Sequence, residues 1–277
     1  MPALFTDGDA EIIRHVTDYY LLTCEELAAL TGRNPVSIRR RLQVLGFEKR
    51  KRGAWTTSGL QYLYRTCYER MGAELHYPTQ KAFDFAFEQG WLSERVHGGK
   101  RDIAKLPHDR RVVQYRFHLR KLFGDRIHAT QHFYNVYDKW GTKPDDHILA
   151  DLFFYYRAED GTFPSFFLEI ENTAEHSYDA KGESARIRKA KSYVEYLERG
   201  LFQEKFEYPD VKFIFIVPSA KQARNFAKKL SAMGGAFNSK LFIIGDFQSV
   251  FGDSKKPYIT PKDFEHARYS LTDFHLL

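Results

Sequence analysis

Ile148-Leu149-Ala150-Asp151-Leu152-Phe153-Phe154-Tyr155-Tyr156 and, further on, Phe166-Phe167-Leu168-Glu169-Ile170-Glu171 are apolar stretches carrying acids where a core strand has none. Between them Ala158-Glu159-Asp160-Gly161 is turn-rich, with a Gly that fits a hairpin connection. Side chains at i and i+2 of a strand share a face, so Glu169 and Glu171 are expected to point the same way. If the runs pair as a hairpin, Asp151 lies beside them and three carboxylates converge. Burying charge costs several kcal/mol unless something offsets it. A divalent cation held by oxygen ligands is one common compensation. The plainer alternative makes Glu169 and Glu171 the solvated face of an edge strand, and Asp151 a hydrogen-bonded turn neighbour.

The 277 residues suffice for a small domain followed by a medium one. A hydrophobic content of 43% supports real cores, and 28% charged residues is not a disordered composition. No apolar run approaches the roughly 20 residues that span a bilayer, so no membrane insertion is expected. Met1 to Asp9 lacks the basic start and apolar core of a secretory signal. Two cysteines, Cys24 and Cys67, are too few for a disulfide framework or a cysteine zinc site. A cytoplasmic location is the expectation.

Net charge is +6, and its placement matters more than its size. Arg33, Arg39, Arg40, Arg41, Lys49, Arg50, Lys51 and Arg52 face one acid, Glu48, giving +7 in one short segment. Such a patch suits nucleic acid, although a solvated face gives the same signal.

Around that patch the pattern predicts a winged helix-turn-helix over residues 1–70. Ile12, Ile13, Val16 and Tyr20 recur at helical spacing. Thr23 with Glu26 forms a capping box for a short helix that stops at Thr31-Gly32. Asn34-Pro35 opens the next helix, with Val36, Ile38, Leu42 and Leu45 as its apolar stripe and Gly46 at its end. Short helix, Gly-containing turn and second helix make a helix-turn-helix, with Arg39, Arg40 and Arg41 on the outer face. Phe47 to Arg52 and Ala54 to Thr56 read as wing strands joined at Gly53, and Ser58 to Tyr64 as a helix. The turn Leu30-Thr31-Gly32-Arg33 resembles that of many bacterial winged helix-turn-helix domains.

Residues 71–106 read as a connector with a helix near Lys81 to Gln89. Residues 107–277 read as an α/β fold, or α+β, with a mixed sheet. The predicted order is helix (Val112–Phe123), irregular strand (Ile127–Tyr137), the two acid-bearing strands and a basic helix (Ala180–Leu197). Strand Val211–Val217, helix Lys221–Met233 and strand Lys240–Ile244 follow.

Order and acids together resemble the restriction-endonuclease-like PD-(D/E)xK core, whose motif is Asp on one strand and Glu-x-Lys on the next. Here the pattern is Asp151…Glu169-Ile170-Glu171, with Glu where the motif lysine is usual. The following helix supplies replacements: Lys181, Arg188, Lys189 and Lys191. Lys189, Tyr193 and Tyr196 share one helical face.

The segment from Ala150-Asp151 through Phe167-Leu168-Glu169-Ile170-Glu171-Asn172-Thr173-Ala174-Glu175 to Lys189-x-x-x-Tyr193-x-x-Tyr196 resembles the replication-relaxation family, and more narrowly the MobC-type plasmid relaxases. Ala150 stands where that family often has Pro, and Pro144-Asp145 is a competing match. Asp151 is preferred because it is expected inside a strand that precedes the Asp-Gly turn. The resemblance implies an N-terminal winged helix joined to a restriction-endonuclease-like domain, and metal-dependent nicking of double-stranded plasmid DNA at a transfer origin. It implies Asp151, Glu169 and Glu171 as acids and metal ligands, Lys189 as the helix-borne lysine, and Mg²⁺ or Mn²⁺ as cofactor. Other mobilisation or coupling proteins would be partners.

One or two such ions can activate a nucleophile, neutralise charge at phosphorus and stabilise the leaving oxygen. Mg²⁺ commonly uses one or two carboxylates, which suits Asp151 and Glu169. Tyr178, Tyr193 and Tyr196 are candidates for a covalent step, each weak alone among 17 tyrosines. A Lys189–Tyr193–Tyr196 face is more often a packing surface with a snorkelling lysine than a catalytic one. The eleven histidines contain no His-x-His pair, so the metal site of histidine-based relaxases is not expected. The competing function is a DNA-binding replication or mobilisation regulator in which Glu171 marks lost catalysis. A restriction-like endonuclease is a further relative of the first reading.

Overall fold

The structure is a computed structural model that describes residues 4–46, 60–68, 73–92, 95–96, 105–131, 137–142, 146–171, 184–206, 211–252 and 254–275. The expected wing strands, with Lys49, Arg50, Lys51 and Arg52, lie outside these residues, as do Tyr178, Lys181 and the Pro144-Asp145 pair. The protein is mixed α/β and divides into two compact units, Met1–Val113 and Gln114–Leu277. No helix among the described residues is long and apolar enough to cross a membrane.

The first unit contains, in order, α1 (Asp7–Tyr19), β1 (Leu22–Thr23), α2 (Cys24–Thr31), α3 (Pro35–Leu45), β2 (Leu63–Tyr68), β3 (Ala73–Pro78) and α4 (Gln80–Glu88). Local chemistry sets the helix ends. The Glu26 N–H donates to Thr23 Oγ1 at 3.1 Å and the Thr23 N–H to Glu26 Oε2 at 2.9 Å, closing the capping box at α2. Gly32 ends α2 at φ 66°, a left-handed conformation that a Cβ would strain. Asn34 caps α3 by accepting from the Val36 N–H at 2.8 Å, with Pro35 in the first turn. Ile12, Ile13, Val16, Leu27, Ile38, Leu42 and Leu45 form the buried interior.

Three expectations change in this unit. Val36, read as part of the apolar stripe of α3, is 55% exposed, because it stands in the first turn ahead of the buried Ile38. The expected helix over 58–64 is absent from its described part: residues 60–62 are irregular and Leu63 begins β2. Alternating Leu63, Arg65 and Cys67 with Tyr64, Thr66 and Tyr68 fits strand as well as helix, and pairing along the length of β3 decides for strand. Residues 71–106, read as a connector with one helix, supply that helix as α4 but also β3, which is central in the antiparallel order β1-β3-β2.

The boundary between units falls within α5 (Leu106–Phe123). The second unit continues with β4 (Ile127–Gln131), β5 (Tyr137–Lys139), β6 (His147–Leu149), β7 (Leu152–Tyr156) and β8 (Ser165–Ile170). After these come α6 (Ala185–Glu198), α7 (Leu201–Phe206), β9 (Lys212–Val217), α8 (Ala220–Met233), β10 (Phe242–Asp246), α9 (Phe247–Phe251) and β11 (Tyr258–Ile259). Six strands form one mixed sheet in the order β11-β10-β9-β8-β7-β4. β8, β9 and β10 run parallel, and the other pairings are antiparallel. The continuous apolar run of β9 is what a central parallel strand buried on both faces requires.

Strand parity sorts the aromatics onto two faces. Phe153, Phe167 and Phe213 meet the second-layer rings, with Tyr193 of α6 lying 5.9 Å from Phe167 and 4.4 Å from Phe213 between ring centroids. Phe154 and Tyr156 face the other way, 6.1 Å from Tyr115 and 4.0 Å from Phe123 of α5. Thus α5 and α6 cover opposite faces of the sheet. Each fully buried Phe contributes roughly 1.5–3 kcal/mol by leaving water.

The run Ile148–Tyr156 is not one strand. β6 pairs with β5 in a separate two-stranded sheet, and β7 begins only at Leu152. Asp151 therefore stands at a bend just before β7 rather than inside it. The Ala158–Gly161 turn forms as expected: the Gly161 N–H donates to the Ala158 carbonyl at 3.1 Å, and Gly161 has φ 83°.

Candidate functional site: an acid cluster against a basic helix

The β7–β8 register pairs Leu152 with Leu168 and Phe153 with Phe167. Carried one residue further, it sets Asp151 opposite Glu169. The Asp151 N–H donates to the Leu168 carbonyl at 2.9 Å, and the Ile170 N–H donates to Asp151 Oδ2 at 2.7 Å. Asp151 thus continues the hairpin ladder with its own side chain.

Glu169 is 2% exposed, on the face that packs under α6. Lys189 Nζ and the Tyr193 hydroxyl both donate to its carboxylate. Burial pushes the Glu169 carboxyl up to about 8. Lys189 pulls against that rise, Asp151 adds to it, and the hydrogen bonds from Lys189 and Tyr193 oppose it. Burial acts to lower the Lys189 ammonium, but Glu169, Asp151 and Glu171 outweigh it and hold Lys189 above its usual range.

Glu171 follows the last residue of β8, and its N–H donates to the Ile216 carbonyl at 2.9 Å. Arg186 Nε donates to its Oε2 at 2.7 Å, and the Arg186 guanidinium lies over the Phe226 ring at 5.3 Å. Glu169 and Glu171 both reach α6, as the i, i+2 rule requires. They do not converge on one point with Asp151: Glu171 takes the arginine and Glu169 the lysine. No group of three or more His, Cys, Asp or Glu side chains arranged to hold a metal ion occurs among the described residues.

Lys189 and Tyr193 sit one turn apart and meet the same carboxylate. Tyr196 continues that face, but its hydroxyl donates to Asp138 Oδ2 at 2.9 Å and its ring lies 5.4 Å from Trp140. Tyr193 and Tyr196 are the described candidates for a covalent step. Both are enclosed, and burial holds both phenols well above their usual range. Arg186 and the positioning role of Tyr193 went unread in the sequence. Arg186 carried a signal, since it lies three residues before Lys189 and so on the same side of α6.

In the first unit the basic residues divide into two kinds. Arg41 donates through Nε to Asp9 Oδ1 at 2.7 Å and also reaches Asp9 Oδ2 through its terminal nitrogen. Arg33 donates to Glu11 Oε2 at 2.6 Å and to the Gly8 carbonyl at 3.1 Å, and a Cβ at Gly8 would collide with its guanidinium. These two arginines fasten α3 and its preceding turn to α1. Arg39 and Arg40 instead face solvent, Arg39 with a 3.4 Å contact to the exposed Glu25 and a side-chain interaction with Cys24. The outer face of α3 is Val36, Ser37, Arg39, Arg40 and Gln43.

No protein-family model, no curated protein and no solved structure matches this chain.

Proposed function

We propose that this protein is a metal-dependent, site-specific DNA-nicking enzyme of the MobC-type relaxase kind, acting on double-stranded plasmid DNA at a transfer origin. The observation that carries this reading is Lys189 on Glu169, opposite Asp151, at the edge of the β7–β8 hairpin. A lysine delivered from α6 replaces the one that Glu171 displaces from the strand motif. The element order supports the same reading: α5, three antiparallel strands β4, β7 and β8, then α6 and the parallel strand β9 follow the restriction-endonuclease-like plan. In the first unit, the order α1-β1-α2-α3 followed by the paired strands β2 and β3 supports a winged-helix reading, whose expected wing strands over 47–56 lie outside the described residues. A cytoplasmic location and contacts with mobilisation or coupling proteins belong to the same proposal.

The residues present fit Mg²⁺ or Mn²⁺. Asp151 and Glu169, opposite each other at the end of the hairpin, offer hard oxygen donors, while Glu171 is held by Arg186. The upward push on Glu169 is the electrostatic mark of a buried carboxylate that gains from more positive charge. Asp151 and Glu169 would hold the ion, which when bound supplies an activated water and charge neutralisation at phosphorus. The chain's own groups do the rest. Lys189 sets an ammonium beside the carboxylates, where it can stabilise charge developing on a phosphate. Tyr193 fixes the orientation of Glu169, and Arg186 holds Glu171 at the end of β8.

The test is nicking of supercoiled plasmids carrying candidate transfer origins, with Mg²⁺ or Mn²⁺. Asp151→Ala and Glu169→Ala are expected to abolish nicking while DNA binding persists; undiminished nicking in both would sink the assignment. A second reading, a DNA-binding regulator without cleavage, draws on the protein partner that each acid already has. It expects no cleavage with any divalent ion and no rise in melting temperature with millimolar Mn²⁺. Binding at a hundred times Kd would stabilise the fold by about 2.7 kcal/mol.

A further inference from the structure

Helix α8 carries Lys221, Arg224, Lys228 and Lys229 and no acid. All four are exposed, together with Asn225, whereas Ala223, Phe226, Ala227 and Leu230 are buried. The helix is therefore cleanly two-sided, and its outer side has a single sign of charge. Stability does not ask for this. A helix start favours acids, yet the first turn of α8 holds Lys221 and no acid. Opposite charges at i, i+4 would also steady the helix, and α8 has none.

The topology starts this helix at the sheet end that holds the acid cluster. β8 and β9 are parallel, so Ile170 and Val217 finish at the same end of the sheet. β7 runs antiparallel to β8, which brings Asp151 to that end as well. α8 starts there, three residues after β9. Arg186 ties the two together, holding Glu171 while lying over Phe226 of α8. From Lys221 to Lys228 is a rise of about 10 Å at roughly 1.5 Å per residue. That matches about three phosphates of one strand at roughly 3.4 Å each.

We propose that the exposed face of α8 contacts the phosphodiester backbone of duplex DNA, leading the strand to the Asp151–Glu169 end of the sheet. The inference rests on the reading of the second unit as a DNA-nicking domain. It names contacts in that unit that are independent of sequence, while Arg39 and Arg40 of α3 address the target site.

The test compares the full chain with the triple variant Lys221→Ala/Arg224→Ala/Lys228→Ala. Duplex binding is followed by fluorescence anisotropy over a salt series, in chelator and without divalent ion. The variant is expected to bind every duplex at least tenfold more weakly, at an unchanged melting temperature. Its log–log salt slope should be shallower by about 0.9 for each phosphate that is no longer neutralised. Lys221→Arg/Lys228→Arg should bind like the parent. Affinity and slope equal to the parent's overturn the proposal, as does a parent with no salt-dependent duplex binding. Because no divalent ion is present, the two readings separate. A parent that never nicks while the triple variant loses affinity removes the nuclease reading and keeps the DNA surface. A parent that nicks while the variant's slope is unchanged does the reverse.

Discussion

Asp9 and Glu169 are buried to nearly the same degree, at 0% and 2% exposure, and are held in opposite ways. Asp9 closes the first turn of α1, accepting from the Thr6 N–H at 2.8 Å and the Thr6 hydroxyl at 2.9 Å, and takes the Arg41 fork as well. Its charge is spread over local donors and a planar guanidinium, which matches a carboxylate bidentately. Glu169 is held by two side chains from another element, a lysine that is a point charge and a phenol, with a second acid opposite. The difference separates two uses of buried charge. One carboxylate is a structural tie saturated with donors; the other keeps an electrostatic demand that the fold alone does not meet.

The largest expected effect tests the tie. Arg41→Ala leaves Asp9 buried without its cation, and breaking a buried pair on one side costs about 3–5 kcal/mol. Because Arg41 keeps about a quarter of its side chain exposed, the lower end is expected, read as a fall in melting temperature. Glu169→Gln at neutral pH should cost less, since a carboxyl that burial pushes up to about 8 is mostly protonated there and the amide keeps its shape, while nicking is lost. A Glu169→Gln loss of stability as large as that of Arg41→Ala would erase the distinction.

A second effect concerns pH and has opposite sign in the two units. His76 is buried in the strand β3, and burial first, with Arg65 next, lowers its imidazole to about 4. Its folded pKa lies below the unfolded value near 6.5, so it stays neutral in the fold. The stability this confers is complete above about 6.5 and is lost as pH falls toward 4, about 3 kcal/mol in all. Glu169 is raised instead. Its contribution is present below about 4.5 and is lost as pH rises through about 8. Denaturation midpoints across pH should therefore show His76→Gln flattening the fall in stability from about pH 6.5 down to 4, and Glu169→Gln flattening the fall from about pH 4.5 up to 8. Two variants with identical pH profiles would break the comparison.

Features written in neighbouring residues were legible in the sequence. Thr23 with Glu26, Asn34 with Pro35, Gly46 and the Asp160-Gly161 turn act over a few residues, and each does its expected work. The meeting of Lys189 with Glu169 was legible only in part: the residues offered Lys181, Arg188, Lys189 and Lys191 alike, and the family resemblance singled out Lys189. What depends on distant partners was not legible. Nothing inside Ile148–Tyr156 marks the break at Ala150-Asp151, since it arises when β6 pairs with β5 rather than continuing β7. Arg41 and Arg33 looked like outward charges until Asp9 and Glu11, more than twenty residues earlier, came beside them. The three acids were expected at one point because their own cations, Arg186 and Lys189, belong to a helix whose docking the strands do not encode.

The smallest expected effect asks which of these uses Tyr193 serves. Its ring stacks on Phe167 and Phe213, and only its hydroxyl reaches Glu169. Tyr193→Phe keeps the packing and removes one donor to a buried carboxylate, a loss of about 1–3 kcal/mol. Without that hydrogen bond the Glu169 carboxyl should rise further, so the alkaline loss of stability extends to higher pH than in the parent. A nucleophile cannot be spared, whereas a positioning residue can. Tyr193→Phe should therefore still nick, more slowly, and with its pH–rate profile displaced upward. Complete loss of nicking with an unchanged melting profile would instead make the phenol a reacting group, and the donor shell of Glu169 would need a different account.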